Sequence, residues 1–145
     1  MAEHFEIQQL PDGPGSEAVR LSFRIHPERL AVCRLLPDAP PPEWAFHGAF
    51  WSITRTREEL SVVCAEAAVP DGVRAERDWI CFQLAGPFAF ALTGILEAFL
   101  RPLAEARVPI FALSTFDTDW VLIPAMREAE ALAALAGAGH IRLHT

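Results

Sequence analysis

What most restricts the fold of this chain is the order of its patterned segments after Trp79. Trp79–Ala85 is a run of large apolar residues that reads as a strand, and Gly86-Pro87 breaks it. Helical spacing begins near Thr93. Ile95, Leu96, Phe99, Leu100 and Leu103 form one apolar stripe, with Glu97, Arg101 and Glu105 opposite it at i, i+4 and i+8. Pro102 falls inside this helix and, lacking an amide hydrogen, should kink or shorten it. Pro109–Phe116 reads as a strand, Asp117-Thr118 as a tight turn and Asp119–Pro124 as the returning strand. Met126–Ala136 is an Ala/Leu-rich helix with Gly137 and Gly139 as C-cap candidates, and His140–Leu143 is a last short strand. Two helices in a βαββαβ order must bury their stripes on one face of the sheet. That predicts an α+β fold with an antiparallel sheet of the ferredoxin-like kind.

The preceding residues read as a reduced copy of the same plan. Leu30–Leu36 is a compact apolar run, hence a buried strand, and Pro37–Pro42 holds four prolines, which no helix interior or central strand tolerates. Phe50–Thr56, a polar joint Arg57–Glu59 and Leu60–Cys64 make a hairpin, and Val69-Pro70-Asp71-Gly72 turns the chain out of it. The hairpin is echoed by Phe111–Asp117 leading into Trp120–Ile123, so the chain carries an internal repeat, with the proline segment where a first helix would lie. Upstream, Pro11–Gly15 is a turn-rich break, and Arg20–Ile25 alternates polar and apolar as an edge strand does. The resulting division is 1–29 as an N-terminal extension or edge strand, 30–75 as a reduced unit, and 76–145 as a complete one.

Composition removes several chemistries. All 12 basic residues are Arg and there is no Tyr. Without Lys the chain makes no Schiff base and no P-loop phosphate grip. A net charge of −7 argues against nucleic acid as a partner. Ile80–Leu100 has the length of a membrane span, but Gln83, Gly86-Pro87 and Glu97 reject that reading. The acidic N-terminus lacks the apolar core of a signal peptide, so the expected location is cytoplasmic. Cys33, Cys64 and Cys81 are isolated thiols in apolar runs and read as buried and reduced. The histidines (His4, His26, His47, His140 and His144) read as solvated, and no metal or cofactor is implied. No nucleophile elbow or acid–base constellation is present, and the expectation is a protein that is not an enzyme. Trp44, Trp51, Trp79 and Trp120 with Phe50 read more simply as core or interface residues than as a pocket lining.

Two segments offer binding chemistry. Ser114–Asp119 is a dense polar cluster at a turn. Its carboxylates and hydroxyls can receive an ammonium or guanidinium, or can simply satisfy the turn's own amides. Thr93-Gly94 opens the first helix, where free amides suit a carboxylate, or where Thr93 is an ordinary N-cap.

The segments Phe50–Thr56 with Leu60–Cys64, Leu92–Leu96, Pro102–Ala106 and Ile110–Asp119 together resemble small bacterial tandem ACT-domain proteins, related to the CASTOR-type arginine sensors of animals. The resemblance runs from about Leu30 to His140 and includes the proline within the helix. It implies two ACT-like units, the first reduced, that bind an amino acid at an interface between paired domains. Carried over by motif, Thr115, Phe116, Thr118 and Asp119 fall where the sensors contact their ligand. Asp119 would pair with a cationic group, and Pro109 and Ile110 would supply backbone contacts. Position 118 is aromatic in the sensors and Thr here, and an acidic ligand contact upstream of Gly94 is replaced by Leu92, so arginine itself is not implied. The expected function is a non-catalytic, homodimeric regulatory module for a small molecule. The rival is a structural dimerisation or protein-interaction module without a ligand.

Overall fold

The structure is a computed structural model that describes residues 19–86 and 94–144. The Pro11–Gly15 break, His4 and Thr93 lie outside the described residues. The chain divides into two compact units, one formed by His26–Cys81 and the other by the segment ending at Ile25 together with the segment beginning at Phe82.

The His26–Cys81 unit contains β2 (Leu30–Leu35), a single 3-10 turn at Glu43–Phe46, β3 (Ser52–Arg55), β4 (Leu60–Ala65), a second 3-10 turn at Glu66–Ala68 and the first part of β5 (Ala75–Leu84). The strands lie in the order β3-β4-β2-β5, all neighbours antiparallel. That is the ferredoxin-like order with each helix cut to one 3-10 turn. The prolines explain the first loss, since Pro40-Pro41-Pro42 removes the amides an α-helix would need. One face of the sheet buries Ala31, Cys33, Leu60, Val62 and Cys64 against Ala45 and Val69, with Trp44 and Ile53 at the margin. Trp51 instead remains about half exposed, edge-to-face with Phe46 at 5.1 Å.

The second unit contains β1 (Ser22–Ile25), the end of β5, α1 (Ile95–Glu105), β6 (Phe111–Ser114), β7 (Asp119–Pro124), a 3-10 turn at Ala125–Arg127, α2 (Glu128–Gly137) and β8 (Ile141–Arg142). The strand order is β6-β7-β5-β1-β8. β1 is not an edge strand as its alternation suggests. It pairs antiparallel with β5 (Phe23↔Leu84) and parallel with β8 (Phe23↔Arg142), and so intervenes where the simple ferredoxin-like order would join β5 to β8. The reason is Phe23, fully buried and packed edge-to-face on Phe82 and Phe99 at 5.4 and 5.5 Å. β5 also begins four residues earlier than the apolar run, because Ala75-Glu76-Arg77-Asp78 pairs in part with β2 despite its charge.

The two hairpins correspond strand for strand. Arg55↔Leu60 matches Ser114↔Asp119, and Ser52↔Val63 matches Phe111↔Leu122, so Phe50 answers to Pro109 and not to Phe111. Each opens on a threonine whose amide donates to the carbonyl three residues on, Thr56 to Glu59 and Thr115 to Thr118, both at 2.9 Å. The positions after the first helix also correspond: Gly48 (φ +106°) follows the 3-10 turn as Arg107 (φ +58°) follows α1.

α1 ends in a Schellman motif: Val108 N–H donates to Leu103 O and Arg107 N–H to Ala104 O. Holding a residue that carries a Cβ in the left-handed conformation costs free energy that glycine would not incur. Arg107→Gly is expected to raise stability by about 0.5–1 kcal/mol, read as a higher urea midpoint with an unchanged slope. α2 ends in the same motif with Gly139, whose φ is +89°.

All three cysteines are buried and free. Burial pushes the Cys81 thiol up to about 12 from its ordinary 9.0. The Cys33 thiol beside it and burial raise Cys64, while Cys33 is lowered chiefly by its hydrogen bond with Cys64. Above pH 9 the unfolded chain loses the Cys81 proton that the folded chain keeps. Stability should therefore be level below pH 8 and fall between pH 9 and 12 by up to about 1.4 kcal/mol per unit from this residue. Urea titrations across that range should show Cys81→Ala flattening the decline; an unchanged slope would contradict it.

Candidate functional site

The polar cluster sits at the tip of the β6–β7 hairpin. Thr118, 7% exposed, donates its hydroxyl to Leu84 O at 2.7 Å, which pins the tip to the end of β5. Thr115 Oγ1 donates to Thr118 O at 3.0 Å and accepts Trp120 Nε1–H at 2.9 Å. Both hydroxyls are therefore consumed in shaping the turn. Sequence reasoning missed Trp120 as the partner of the Thr115 hydroxyl; its signal was the spacing, five residues after a turn-opening threonine.

Asp119 remains available to a ligand. Asp119 is half-buried, opposite Ser114 in the hairpin register, and its Oδ1 accepts Ser114 Oγ–H at 2.5 Å. That bond fixes the carboxylate's rotamer. Among the described residues no cation approaches it closely enough for an ion pair, so its charge is available to an ammonium or guanidinium. Phe116 is 79% exposed at the tip, and Asp117 beside it is exposed as well.

The structure divides the other expected residues. Gly94 (φ +77°) caps α1 through its backbone and without a side-chain cap, and Ala98 N–H donates to its carbonyl. Pro109 and Ile110 are exposed but precede β6, whereas Thr115–Asp119 follow it. At about 3.3 Å per residue the two groups stand roughly 20 Å apart along the strand. One chain cannot bring both to the same small ligand. Among the described residues, a groove of about 310 Å³ runs between α1 and α2, lined by Pro102, Glu105, Ala106, Ala134, Gly137 and Ala138, and none of the expected residues lines it. Of the aromatic residues, Trp120 belongs to the β6–β7 hairpin and Trp44 to the core of the His26–Cys81 unit.

His140 is a correction to the sequence reading. It is buried, not solvated, at 6% exposed. Its Nδ1 accepts Leu21 N–H at 3.0 Å and its Nε2–H donates to Ala98 O at 2.8 Å, a pairing that fixes the Nε2–H tautomer. Ala98 O is the carbonyl that residue 102 would bond in an uninterrupted α-helix, and Pro102 has no hydrogen to give. The imidazole thus supplies the bond the proline forfeits, and α1 runs through Pro102 to Glu105.

Among the described residues there is no cluster of three or more metal-ligating side chains, and no helix is long and apolar enough to cross a membrane. The ACT-domain family profile matches residues 74–137, and a second profile, described as an N-terminal domain, matches residues 28–72. The protein Atu0741 of Agobacterium tumefaciens is similar over 87% of this chain and 96% of its own, at 39% identity and a TM-score of 0.82. VC0802 of Vibrio cholerae, a protein of unknown function described as a possible transport protein, is 17% identical over 81% of this chain and 89% of its own, with a TM-score of 0.67. The regulatory subunit of aspartate kinase from Thermus flavus shares the fold at a TM-score of 0.53, covering 80% of this chain and 95% of its own at 14% identity. No curated protein matches the sequence.

Proposed function

As the chain is an ACT-domain protein and belongs with Atu0741, to which it is 39% identical, we propose that it is a non-catalytic regulatory module that binds a small amino-acid-like molecule as a homodimer. The reading is carried by one observation: at the tip of the β6–β7 hairpin Asp119 is half-buried, held by Ser114 and without an ion-pair partner among the described residues. In that setting a carboxylate recognises a cationic group more strongly than at an open surface. Phe116 beside it offers an apolar face. The resemblance to arginine sensors supports a cation at Asp119, and the aspartate kinase regulatory subunit supports the regulatory role by its fold. The expected cytoplasmic location belongs to the same reading.

The test is a thermal-shift screen against each of the twenty amino acids at millimolar concentration. At least one should raise Tm, and Asp119→Ala should abolish the shift. The unliganded variant should melt close to the wild type, because the exposed Ser114–Asp119 bond contributes about 1 kcal/mol or less. No stabilisation by any amino acid would overturn the reading. One observation favours the rival, an interaction module without a ligand. The Thr115 and Thr118 hydroxyls, both candidates for ligand contact, are already committed to the turn.

A further inference from the structure

Cys33 on β2 and Cys64 on β4 are both buried and free, and neither takes part in the proposed ligand site. The register sets Cys33 opposite Val62 and Ala31 opposite Cys64. The two cysteines are therefore diagonal neighbours on the face that carries the core of the His26–Cys81 unit. Side chains at diagonal positions of one face can touch, and here the two sulfurs are in hydrogen-bond contact. A buried structural cysteine is ordinarily inert. A second thiol in contact changes that, because an oxidised sulfur then has a partner within reach.

We propose that Cys33 and Cys64 form a reversible oxidation site, which hydrogen peroxide converts to an intramolecular disulfide when the proline segment lifts from the sheet. The site is independent of the ligand at the β6–β7 tip. Access follows from how this face is covered. In place of a first helix it has the segment 36–46, whose Ala45 is buried against the core. Its backbone bonds span three residues, Ala39 to Leu36 and Ala45 to Pro42. Among the described residues, the side-chain bonds that tie it to a strand come from Arg55 of β3, exposed, to Pro37 O and, at 2.7 Å, to Ala39 O. A cover held by exposed bonds opens more readily than the hydrogen-bonded sheet beneath it. Lifting it uncovers both thiols and leaves β2 and β4 paired.

The surroundings of the two sulfurs assign their roles. A hydrogen bond from Cys64 holds Cys33 below the usual thiol range, and the positive charge of Arg77 acts in the same direction against burial. The hydrogen bond with Cys33, burial and the Glu28 carboxylate keep Cys64 protonated. Cys33 is therefore the attacking thiolate. Its sulfur takes one peroxide oxygen as the O–O bond breaks, and the hydroxide released takes up a proton and leaves as water. The Cys64 sulfur then displaces hydroxide from the Cys33 sulfenic acid, and that hydroxide carries off the Cys64 proton as a second water. Two thiols are oxidised to one disulfide, and one hydrogen peroxide is reduced to two waters. Diagonal positions stand farther apart than opposed ones, so the bond draws the two strands together and is readily reduced.

Peptide mapping of the folded full chain after hydrogen peroxide at neutral pH tests the site. Trypsin places the three cysteines in separate peptides, Leu30–Arg34, Glu58–Arg74 and Asp78–Arg107. The first two should become linked with a loss of about 2 Da, at least about tenfold faster than Cys81 is oxidised, and dithiothreitol should reverse the link. Arg55→Ala should speed its formation about threefold or more while far-UV circular dichroism is retained. Cys64→Ser should leave Cys33 as a sulfenic acid that dimedone labels, whereas Cys33→Ser should leave Cys64 unlabelled. If either serine variant fails to fold, the wild-type products decide alone. Thiols that react no faster than Cys81, a disulfide that includes Cys81, a rate indifferent to Arg55→Ala, or labelling of Cys64 in place of Cys33 would overturn the inference.

Discussion

His140→Ala is expected to cost about 3–4 kcal/mol of stability, the sum of two buried backbone groups left unpaired and a cavity against an aromatic ring. The groups are Leu21 N–H and Ala98 O, and the ring is Phe99, whose centroid lies 5.6 Å from that of the imidazole. Simple removal of a buried side chain would also destabilise, so the informative measurement is a double-mutant cycle with Pro102→Ala. Alanine at 102 restores an amide that can donate to Ala98 O. In that background His140→Ala should cost at least about 1 kcal/mol less. Additive losses would show that the imidazole does not replace the missing helix bond. Chemical denaturation of the four proteins reads the cycle, with His140→Gln expected to recover part of the loss.

Gly48→Ala is expected to cost about 2 kcal/mol or more, although no element of regular structure contains it. Its φ of +106° lies where side-chain-bearing residues are strained. A Cβ there would collide with Glu28 Oε1 and stand 3.0 Å from the Cβ of Ala65. The carboxylate can swing aside, but the backbone torsion and Ala65 cannot. Most of the cost should therefore persist in a Glu28→Ala background. Glu28 Oε1 is itself buried without a hydrogen-bond partner among the described residues, so Glu28→Ala alone should be mild. If Glu28→Ala erased the penalty of Gly48→Ala, the collision and not the torsion would be its cause.

These positions show where the sequence could be read and where it could not. The stripe Ile95–Leu103 and the hairpin patterns are local periodicities, and they placed α1, β6, β7 and both strands of the first hairpin within a few residues. α2 starts at Glu128 and not Met126, because a 3-10 turn precedes it. The place of β1 between β5 and β8 was hidden, since alternation tells which face a residue takes and not how many neighbours a strand has. His140 was hidden for a related reason. Its partners lie 42 and 119 residues away in sequence, yet Pro102 did announce that the Ala98 carbonyl would need a donor. In the candidate site, the motif pointed to the hairpin tip and Asp119. It could not reveal that the Thr115 and Thr118 hydroxyls are already bonded, or that Pro109 and Ile110 lie at the far end of the same strand.

The central claim is that a small amino-acid-like molecule is held at the β6–β7 tip through Asp119. Two-dimensional ¹H–¹⁵N spectra of the full chain, recorded with and without an equimolar mixture of the twenty amino acids, test it most directly. Saturable shifts centred on the amides of Ser114–Asp119, absent in Asp119→Ala, are the predicted result. Spectra that do not change, or shifts confined to the groove between α1 and α2, would contradict it.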